Sequence, residues 1–365
     1  MKQPIRILHI VSELNQGGIE NFIMNVYRKI DREKIQFDFI VHHKKIGFFE
    51  EEIKQLGGKV FHFKILDDKR ILNYIIKLNL FFKNHPEYKI VHSHLASLGF
   101  IYLKIAKKNG VKVRIAHSHG TCVPKSLKGF VKGILFKFYS NDANVRFACS
   151  KKAGEFLFKK KVFTFIPNAI DYNKFKFNLK QRHIKRNELG LKNEFLIGHV
   201  GRFTVEKNHE FILRMFKKLL TYNSNFKLLL IGDGILRAKM EKLALNIGIK
   251  NNVIFAGVKN DIEKYYQAMD LFILPSLFEG LPVTGIEAQV SGLTSIFSDN
   301  VTKEVAISKQ IYFLGLHDEN EWIDKILDIY NNKSTFKRDL SLNQEFNIKN
   351  LISTLERFYI NNYKK

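Results

Sequence analysis

Cysteine is scarce in this sequence, and the long apolar runs of membrane proteins are missing. Only Cys122 and Cys149 occur among 365 residues, which excludes a disulfide scaffold and fits a reducing compartment. No apolar run reaches the roughly 18 residues of a spanning helix, and the run Ile7–Val11 is too short for a signal peptide. We therefore expect a cytoplasmic protein, with peripheral attachment to the inner face of the cell membrane left open.

Signatures of nucleic-acid binding are also missing. The sequence has neither a zinc-finger spacing nor the aromatic motifs of RNA-binding domains, so we expect no nucleic-acid partner. The net charge of +25, from 60 Lys and Arg against 35 Asp and Glu, favours an anionic partner such as a membrane surface or a nucleotide phosphate. A genome biased toward Lys codons gives the same charge without a partner, so both explanations stay open.

Short apolar runs alternate with longer amphipathic segments in both halves of the chain. This alternation predicts β-α-β units with parallel sheets, and the length predicts two domains, each with its own core. The predicted strands are Ile5–Val11, Phe37–Val41, Val60–Phe63, Ile90–His92, Val113–Ala116 and Phe147–Ala148 in the first half, and Phe195–Val200, Lys227–Ile231, Val253–Phe255, Leu271–Leu274 and Thr294–Phe297 in the second.

These two sets of strands define an α/β fold with two Rossmann-like domains, at residues 1–172 and 188–346. The basic stretch 173–187 is the predicted linker. The helix predicted within 347–365 is expected to pack back toward the N-terminal domain. Because parallel sheets bind ligands beyond the carboxyl ends of their strands, we expect the two domains to face each other across a cleft that holds the chemistry.

A turn with Gly and Pro follows the predicted strand Leu271–Leu274 and precedes a helix. The first N–H groups of a helix have no acceptor within it, and they lie at the positive end of its dipole. Such a turn can therefore hold a diphosphate. The residues that we expect to line it are Gly280, Leu281, Pro282, Val283 and Thr284, of which Pro282 offers no N–H group.

Two glutamates, Glu279 and Glu287, bracket this turn with seven residues between them. Carboxylates accept hydrogen bonds from vicinal sugar or ribose hydroxyls. The spacing, together with the phrase Pro275-Ser-Leu-Phe-Glu-Gly-Leu-Pro282, resembles the retaining glycosyltransferases called group 1 or family 4, of the bacterial capsular or exopolysaccharide type. The resemblance implies the two-domain GT-B fold, with Glu279 as a catalytic residue at the donor sugar and Glu287 at the ribose.

Two cations follow another strand end, in the phrase Gly198-His-Val-Gly-Arg-Phe-Thr-Val-Glu-Lys-Asn208. Arg202 can hold two phosphate oxygens in a fork, and Lys207 supplies a point charge. Both can stabilise the charge that develops on a departing diphosphate. Their spacing after Gly201 is similar to that of the phosphate-binding Arg and Lys of the same family, so we predict catalytic roles for both and a donor-binding role for Gly201.

Two more strand ends complete the predicted donor site. Gly232-Asp-Gly234 lacks the third glycine of a dinucleotide fingerprint, because Arg237 stands at that position. The sequence therefore lacks the main motif that would indicate a dehydrogenase. The resemblance implies that Gly232 lies in a turn of the donor domain and that Val258 meets the nucleotide base through backbone groups.

A Gly-Gly turn precedes the first predicted helix, at Gly17 and Gly18. Glycine lets the backbone pass close to a ligand. The same family has a similar Gly-Gly-x-Glu phrase, which implies Gly17, Gly18 and Glu20 as donor-binding positions. A plain turn explains the glycines equally well.

Two histidine pairs, His92-Ser-His94 and His117-Ser-His119, end successive strands. A zinc site would need a third or fourth ligand at suitable geometry, and the sequence lacks the Asp-x-Asp pair of metal-dependent glycosyltransferases. We therefore expect no metal and no cofactor, with fixed cations and N–H groups neutralising the leaving group. The resemblance implies that His119, with His117 second, lies near the donor sugar and orients the acceptor.

A basic amphipathic helix is predicted for 125–138. Its apolar residues would face one side and Lys125, Lys128 and Lys132 another, as in helices that lie on anionic membranes. A helix that packs on its own domain, with solvated lysines, fits the same pattern. Membrane contact through this segment is therefore one of two open interpretations.

Together the motifs predict a hexosyltransferase. We expect it to move a hexose or N-acetylhexosamine, with retention, from a nucleotide-diphosphate sugar, most simply a UDP sugar, to a polysaccharide or lipid-linked oligosaccharide. Two alternatives remain: a sugar-nucleotide 2-epimerase of the same fold, and a non-catalytic basic protein that binds membranes or nucleic acid. Formation of an epimer without any acceptor would favour the first, and a Glu279 that can be replaced without consequence would favour the second.

Overall fold

The computed structural model of the chain divides into two compact units. The first consists of residues 1–169 and 345–365, and the second of residues 170–344. The structure describes residues 3–364 except 16, 44, 64–70, 121–132, 134, 137 and 333–337. Each unit is built on one parallel sheet, as the alternation of apolar runs and amphipathic segments predicts.

The first unit contains a sheet of seven strands. Its strands are β1 (Ile5–Val11), β2 (Ile35–Val41), β3 (Val60–His62), β4 (Ile90–Ser93), β5 (Val113–Ser118), β6 (Val145–Ala148) and β7 (Thr164–Phe165). Its described helices are α1 (Gly18–Tyr27), α2 (Glu50–Gln55), α3 (Ile71–Asn84), α4 (Gly99–Lys108), α5 (Lys151–Phe158) and the C-terminal α13 (Ile348–Lys364). The strand order β3-β2-β1-β4-β5-β6-β7 reverses between β1 and β4, which is the switch point of a doubly wound sheet.

Alternate residues of these strands face two separate cores, one on each side of the sheet. Ile7 and Val11 of β1 pack in a core with α1 and α13, whereas Leu8 and Ile10 pack in a core with α3 and α4. Because both faces are buried, apolar residues dominate both faces of the strands. The helix α13 contributes to the first core the buried residues Ile348, Leu351, Leu355 and Tyr359.

The second unit contains a sheet of six strands. Its strands are β8 (Phe195–Val200), β9 (Phe226–Ile231), β10 (Val253–Gly257), β11 (Leu271–Leu274), β12 (Thr294–Ser298) and β13 (Ile311–Leu314). Its described helices are α6 (Tyr172–Phe175), α7 (Leu179–Glu188), α8 (His209–Tyr222), α9 (Arg237–Asn246), α10 (Ile262–Ala268), α11 (Val283–Val290) and α12 (Glu319–Asn331). The order β10-β9-β8-β11-β12-β13 has its switch point between β8 and β11.

The basic segment 173–187, interpreted from the sequence as a linker, is part of the second unit. It falls in α6 and α7, and Arg182 and Arg186 of α7 both form ion pairs with Asp270. Both guanidinium groups also donate to the carbonyl oxygen of Ala268, at 3.1 and 3.0 Å. The segment is therefore docked on the second unit and is not a free linker. The sequence suggested solvated cations here, but Arg182 and Arg186 are paired with Asp270 of the same unit.

Candidate active site

Two loops meet at the switch point of the second unit. They follow β8 and β11, which are neighbours in the sheet and pair at Ile197 and Leu271. The backbone N–H of Leu277 donates to the carbonyl oxygen of Glu206 at 2.8 Å, so the two loops are held against each other. Doubly wound folds bind their ligands at this position.

Lys207 and Glu279 form an ion pair between these two loops. The hydroxyl of Ser276 donates to Glu279 Oε1 at 2.9 Å and thereby orients the carboxylate. The side chains of Lys207 and Glu279 keep 17% and 14% of their surface exposed, so a ligand can reach both. Arg202, in the same loop as Lys207, has an exposed side chain. The structure thus brings two predicted catalytic residues into contact and places the third in the same loop.

The ends of β8 and β9 approach each other at Gly201 and Gly232. The N–H of Gly201 donates to the carbonyl oxygen of Ile231 at 3.0 Å. A Cβ atom at Gly232 would lie 2.1 Å from the carbonyl oxygen of Gly201, and the φ angle of Gly232 is +136°. Both facts require glycine at this position. Gly232 therefore shapes the loop that carries Arg202 and Lys207.

The helix α11 begins at Val283 after Pro282, which occupies the N-cap position. In the part of the chain that the structure describes, the N–H groups of Leu281, Val283 and Thr284 have no hydrogen-bond acceptor. The buried hydroxyl of Thr284 has no partner either, and the space around Gly280 is open. An unpaired buried hydroxyl such as that of Thr284 costs roughly 1–3 kcal/mol. An anion bound at this helix end would satisfy these donors.

Glu287 lies on α11 and contacts Tyr266 of α10. The phenol of Tyr266 donates to Glu287 Oε2 at 2.9 Å and lies 3.2 Å from the carbonyl oxygen of Thr284. Burial raises the pKa of Glu287 to about 7, because the carboxylate loses water there. Sequence reasoning missed Tyr266, since its contact with Glu287 depends on how α10 packs on α11 and has no local signal.

Val258 follows β10 and is 70% exposed. The carbonyl oxygen of the preceding Gly257 accepts a hydrogen bond from the N–H of Gly232 at 3.0 Å. The loop that carries Val258 therefore lies beside the turn that follows β9. Val258 is thus placed at the same end of the sheet as the Gly232 turn.

Five histidines cluster in the first unit, on the sheet face covered by α1 and α13. His9 Nδ1 lies 3.1 Å from His94 Nε2, and His94 Nδ1 lies 2.8 Å from His119 Nε2. His92 Nε2 lies 3.1 Å from His117 Nδ1. Side chains alternate between the two faces of a strand. His9, His92 and His117 lie on the same face of β1, β4 and β5, and His94 and His119 directly follow the ends of β4 and β5. The structure thus brings the two predicted pairs together and adds His9.

Burial keeps these imidazoles neutral. It lowers the pKa of His9 and of His119 to about 3, and it lowers the pKa values of the other three well below the ordinary value, with neighbouring imidazoles acting in the same direction. A neutral imidazole carries one N–H group and one lone pair. Sequence reasoning did not identify His9 as a member of this cluster. Its position between Ile7 and Val11, on the face that packs against α1 and α13, was the available signal.

The helix α1 covers this cluster. The ring of Phe22 packs against that of His119 with a centroid distance of 5.6 Å. At the start of α1 the carboxylate of Glu20 lies over Gly17, because a Cβ atom there would be 2.2 Å from Glu20 Oε2, whereas Gly18 has open space around it. Burial raises the pKa of Glu20. The predicted Gly-Gly turn and the predicted histidine are therefore both in contact with α1.

Most of the helix predicted for 125–138 lies outside the described residues, including Lys125, Lys128 and Lys132. Its proposed contact with a membrane therefore stays a prediction. Among the described helices, none combines the length and the apolar character that crossing a bilayer requires.

Sequence models of two families match the two halves of the chain. The model "Glycosyltransferase Family 4" matches residues 16–174. The model "Glycosyl transferases group 1" matches residues 181–345. The first match includes the histidine cluster apart from His9, and the second includes the pair Lys207 and Glu279.

Individual proteins give the same result. EpsF of Bacillus subtilis (strain 168) is 34% identical over 310 residues, which are 82% of this chain and 80% of the relative. The UDP-Gal:alpha-D-GlcNAc-diphosphoundecaprenol alpha-1,3-galactosyltransferase of Escherichia coli is 23% identical over 90% of this chain and 89% of its own. Anabaena HepE in complex with UDP shares the fold with a TM-score of 0.82, at 16% identity over 98% of this chain and 100% of HepE. The chain therefore belongs to the group 1, family 4 glycosyltransferases and is a glycosyltransferase with two Rossmann-like domains.

Proposed function

We propose that this enzyme transfers a hexose or N-acetylhexosamine from a UDP sugar to the acceptor of a polysaccharide or lipid-linked glycan. The observation that carries the proposal is the ion pair of Lys207 and Glu279, which stands in the same loop pair as the unpaired N–H groups at the start of α11. A cation and free N–H groups suit a diphosphate, and a carboxylate suits sugar hydroxyls. The UDP and UDP-Gal in the names of HepE and of the Escherichia coli relative support a uridine nucleotide.

In this proposal the donor is bound by groups of the second unit. Arg202 and Lys207 bind the diphosphate together with the N–H groups that follow Gly280. Glu287 accepts the ribose hydroxyls, which replace the phenol of Tyr266 as its hydrogen-bond donor. Backbone groups at Val258 meet the base. Most of these groups are exposed or lack an internal partner. Lys207, Glu279 and Glu287 do have internal partners, and a bound donor would replace those partners.

The transfer itself exchanges one bond at the anomeric carbon. The acceptor hydroxyl oxygen forms its bond on the face that the diphosphate oxygen leaves, so that the configuration is retained, and the hydroxyl proton passes to the departing diphosphate. Arg202 and Lys207 stabilise the charge that develops there, which lets the donor site work without a divalent cation. Glu279 is proposed to contact the donor sugar, because its carboxylate is ordered by Ser276 and still partly exposed.

The first unit is proposed to supply the histidines and the Gly-Gly turn. His119 is the partly exposed member of the cluster and is proposed to contact the sugar and orient the acceptor. His117 is buried with its ring centroid 4.0 Å from that of His119, so it would act through His119. Gly17, Gly18 and Glu20 are proposed to lie along the donor.

The acceptor is proposed to be met at the cytoplasmic face of the membrane. The net charge of +25 favours an anionic surface. The names of two relatives point to the same setting, one to a diphosphoundecaprenol-linked sugar and one, from Staphylococcus aureus, to capsular polysaccharide biosynthesis. Diphosphoundecaprenol-linked sugars are therefore the acceptors to test first in transfer assays, ahead of free saccharides.

Titration calorimetry with UDP and GDP tests the donor site. We expect UDP to bind, with an affinity unchanged by EDTA, and we expect Arg202→Ala and Lys207→Ala to weaken it at least about tenfold, since each removes a charged partner of the phosphates. Lys242→Ala, an exposed lysine of α9, is the matched control. Equal binding by all four proteins would place the diphosphate elsewhere, and binding of GDP alone would change the nucleotide.

A further inference from the structure

The phenol of Tyr266, on α10, lies between two oxygen atoms of α11. Its oxygen is 2.9 Å from Glu287 Oε2 and 3.2 Å from the carbonyl oxygen of Thr284. The ring is fully buried, and burial together with Glu287 raises the pKa of the phenol well above its ordinary value, so the hydroxyl keeps its proton at neutral pH. A phenol has one proton to donate. Tyr266 can therefore donate to Glu287 or to Thr284, but not to both at once.

The protonation of Glu287 decides which of these two contacts receives the phenol proton. When Glu287 is protonated, its O–H donates to the phenol oxygen and the phenol donates to Thr284, so both contacts are hydrogen bonds. When Glu287 is ionised, it accepts from the phenol, and the contact with Thr284 carries no proton. Tyr266 can thus hold the side chain of Glu287 in place in both protonation states.

Burial is the largest influence on the protonation of Glu287, and it raises the pKa of the carboxyl group to about 7. Two charged neighbours act in opposite directions. Lys174 of α6 lowers this pKa, and Glu263 of α10 raises it. Because Lys174 Nζ lies 3.3 Å from Glu263 Oε2, the two charges offset each other. Near neutral pH, Glu287 therefore exists in both protonation states.

The other charged groups around α11 are directed away from Glu287. Lys264 of α10 pairs with Asp261 at 3.5 Å. The turn Lys303–Val305 packs on another face of α11, where Gln289 donates to the carbonyl oxygen of Val305 at 2.8 Å, and residues two apart on a helix point about 200° apart. The strands β11 and β12, which also contact α11, contain no charged residue.

A ribose diol at Glu287 requires the ionised form. A carboxylate can accept both hydroxyls, whereas the protonated acid has one oxygen occupied by its own proton. Glu287 Oε1 has no hydrogen-bond donor among the described residues, and the residue is partly exposed, so a ligand can approach it there. When the ribose replaces the phenol as donor, the phenol can turn to Thr284, whose carbonyl oxygen is already 3.2 Å away.

We propose that Tyr266 is a positioning residue of the nucleotide site, which holds Glu287 in place in both protonation states, and that a ribonucleotide binds there with release of the Glu287 proton to solvent. The inference rests on the proposed function, because the ribose contact belongs to it. Its consequence is a pH dependence of binding. Below about pH 7, the ionisation of this carboxyl group should weaken UDP binding by up to about tenfold for each pH unit.

Proton release is measured on the wild-type full chain by titration calorimetry, in buffers that differ in ionisation enthalpy. UDP is compared with 2′,3′-dideoxy-UDP, which has the same diphosphate but no ribose diol, so protons from the diphosphate cancel in the comparison. At about pH 7, UDP should release about half a proton more than the dideoxy analogue, and at about pH 9 the excess should almost vanish. Glu287→Gln should abolish the excess at both pH values.

Tyr266→Phe tests the positioning role through the pH profile of UDP affinity. The hydrogen bond from the phenol lowers the pKa of Glu287, so its loss should move the midpoint of the profile to higher pH. A merely structural change would weaken binding by the same factor at every pH and leave the midpoint in place. Tyr222→Phe, at an exposed tyrosine of α8, is the matched control and should leave the whole profile unchanged.

The outcomes separate this inference from the proposed donor site. Equal proton release by UDP and by the dideoxy analogue, with UDP binding intact, would overturn the inference and leave the donor site standing. An unchanged midpoint in folded Tyr266→Phe would overturn the role of Tyr266. Absence of UDP binding at every pH would overturn both the inference and the proposed function.

Discussion

Replacement of Glu287 by Gln should stabilise the second unit at neutral and alkaline pH. In the folded protein the pKa of Glu287 is about 7, against an ordinary value of 4.5, because burial removes water from the carboxylate. The fold therefore prefers the protonated form. The stability that this form contributes is fully present below about pH 4.5 and is lost as the pH rises through about 7.

The difference between 7 and 4.5 corresponds to roughly 3 kcal/mol, at about 1.4 kcal/mol for each pKa unit. A neutral Gln side chain avoids this cost at every pH. It also keeps an oxygen that can accept the hydrogen bond from the phenol of Tyr266. At about pH 8.5 the free energy of unfolding of Glu287→Gln should exceed that of the wild type by up to ~3 kcal/mol, and near pH 4.5 the two values should be about equal.

The single tryptophan, Trp322, reports the unfolding of the unit that contains Glu287. It is fully buried there, and its indole N–H donates to the carbonyl oxygen of Gly315 at 2.7 Å. Urea titrations followed by its fluorescence, at about pH 4.5 and pH 8.5, give the two differences in unfolding free energy. Glu321→Gln, at an exposed position beside Trp322, is the control. The raised pKa of Glu287 would be refuted if the free energy of unfolding of Glu287→Gln did not exceed that of the wild type at alkaline pH. It would also be refuted if the excess were the same at both pH values.

Three further changes test other contacts. Gly232→Ala should lower the free energy of unfolding of the second unit by about 2–4 kcal/mol, because its Cβ would meet Gly201; an unchanged urea midpoint would contradict this. Tyr359→Phe should lower the thermal unfolding midpoint of the first unit, since His92 Nδ1 loses its partner at a cost of about 1–2 kcal/mol, as calorimetry can check. Glu279→Gln should reduce sugar transfer about 100-fold with UDP binding retained, and near-normal turnover would remove its catalytic role.

The sequence by itself predicted most of the strands and the loops that carry the proposed donor-site residues. The predicted strands Ile5–Val11 and Phe195–Val200 coincide with β1 and β8, because a strand buried on both faces is mostly apolar along its length. The loop residues Lys207 and Glu279 could be named because they follow strand ends within short motifs. Their ion pair then follows from the adjacency of β8 and β11.

The strands β7 and β13 were not predicted. Both lie at the outer edge of their sheets. Only two residues form β7, and all four residues of β13 are partly exposed. An edge strand has one neighbour and less burial, so its pattern is weaker than that of a central strand.

Contacts between distant parts of the chain were decided by the tertiary structure alone. His9 joins His94 across 85 positions, and Tyr359 reaches His92 across 267. Tyr266 similarly reaches Glu287 from a different helix. A local pattern states which face of its own strand or helix a side chain occupies. It does not state which strand lies next to it, and the strand order and the docking of α13 determine which of these side chains touch.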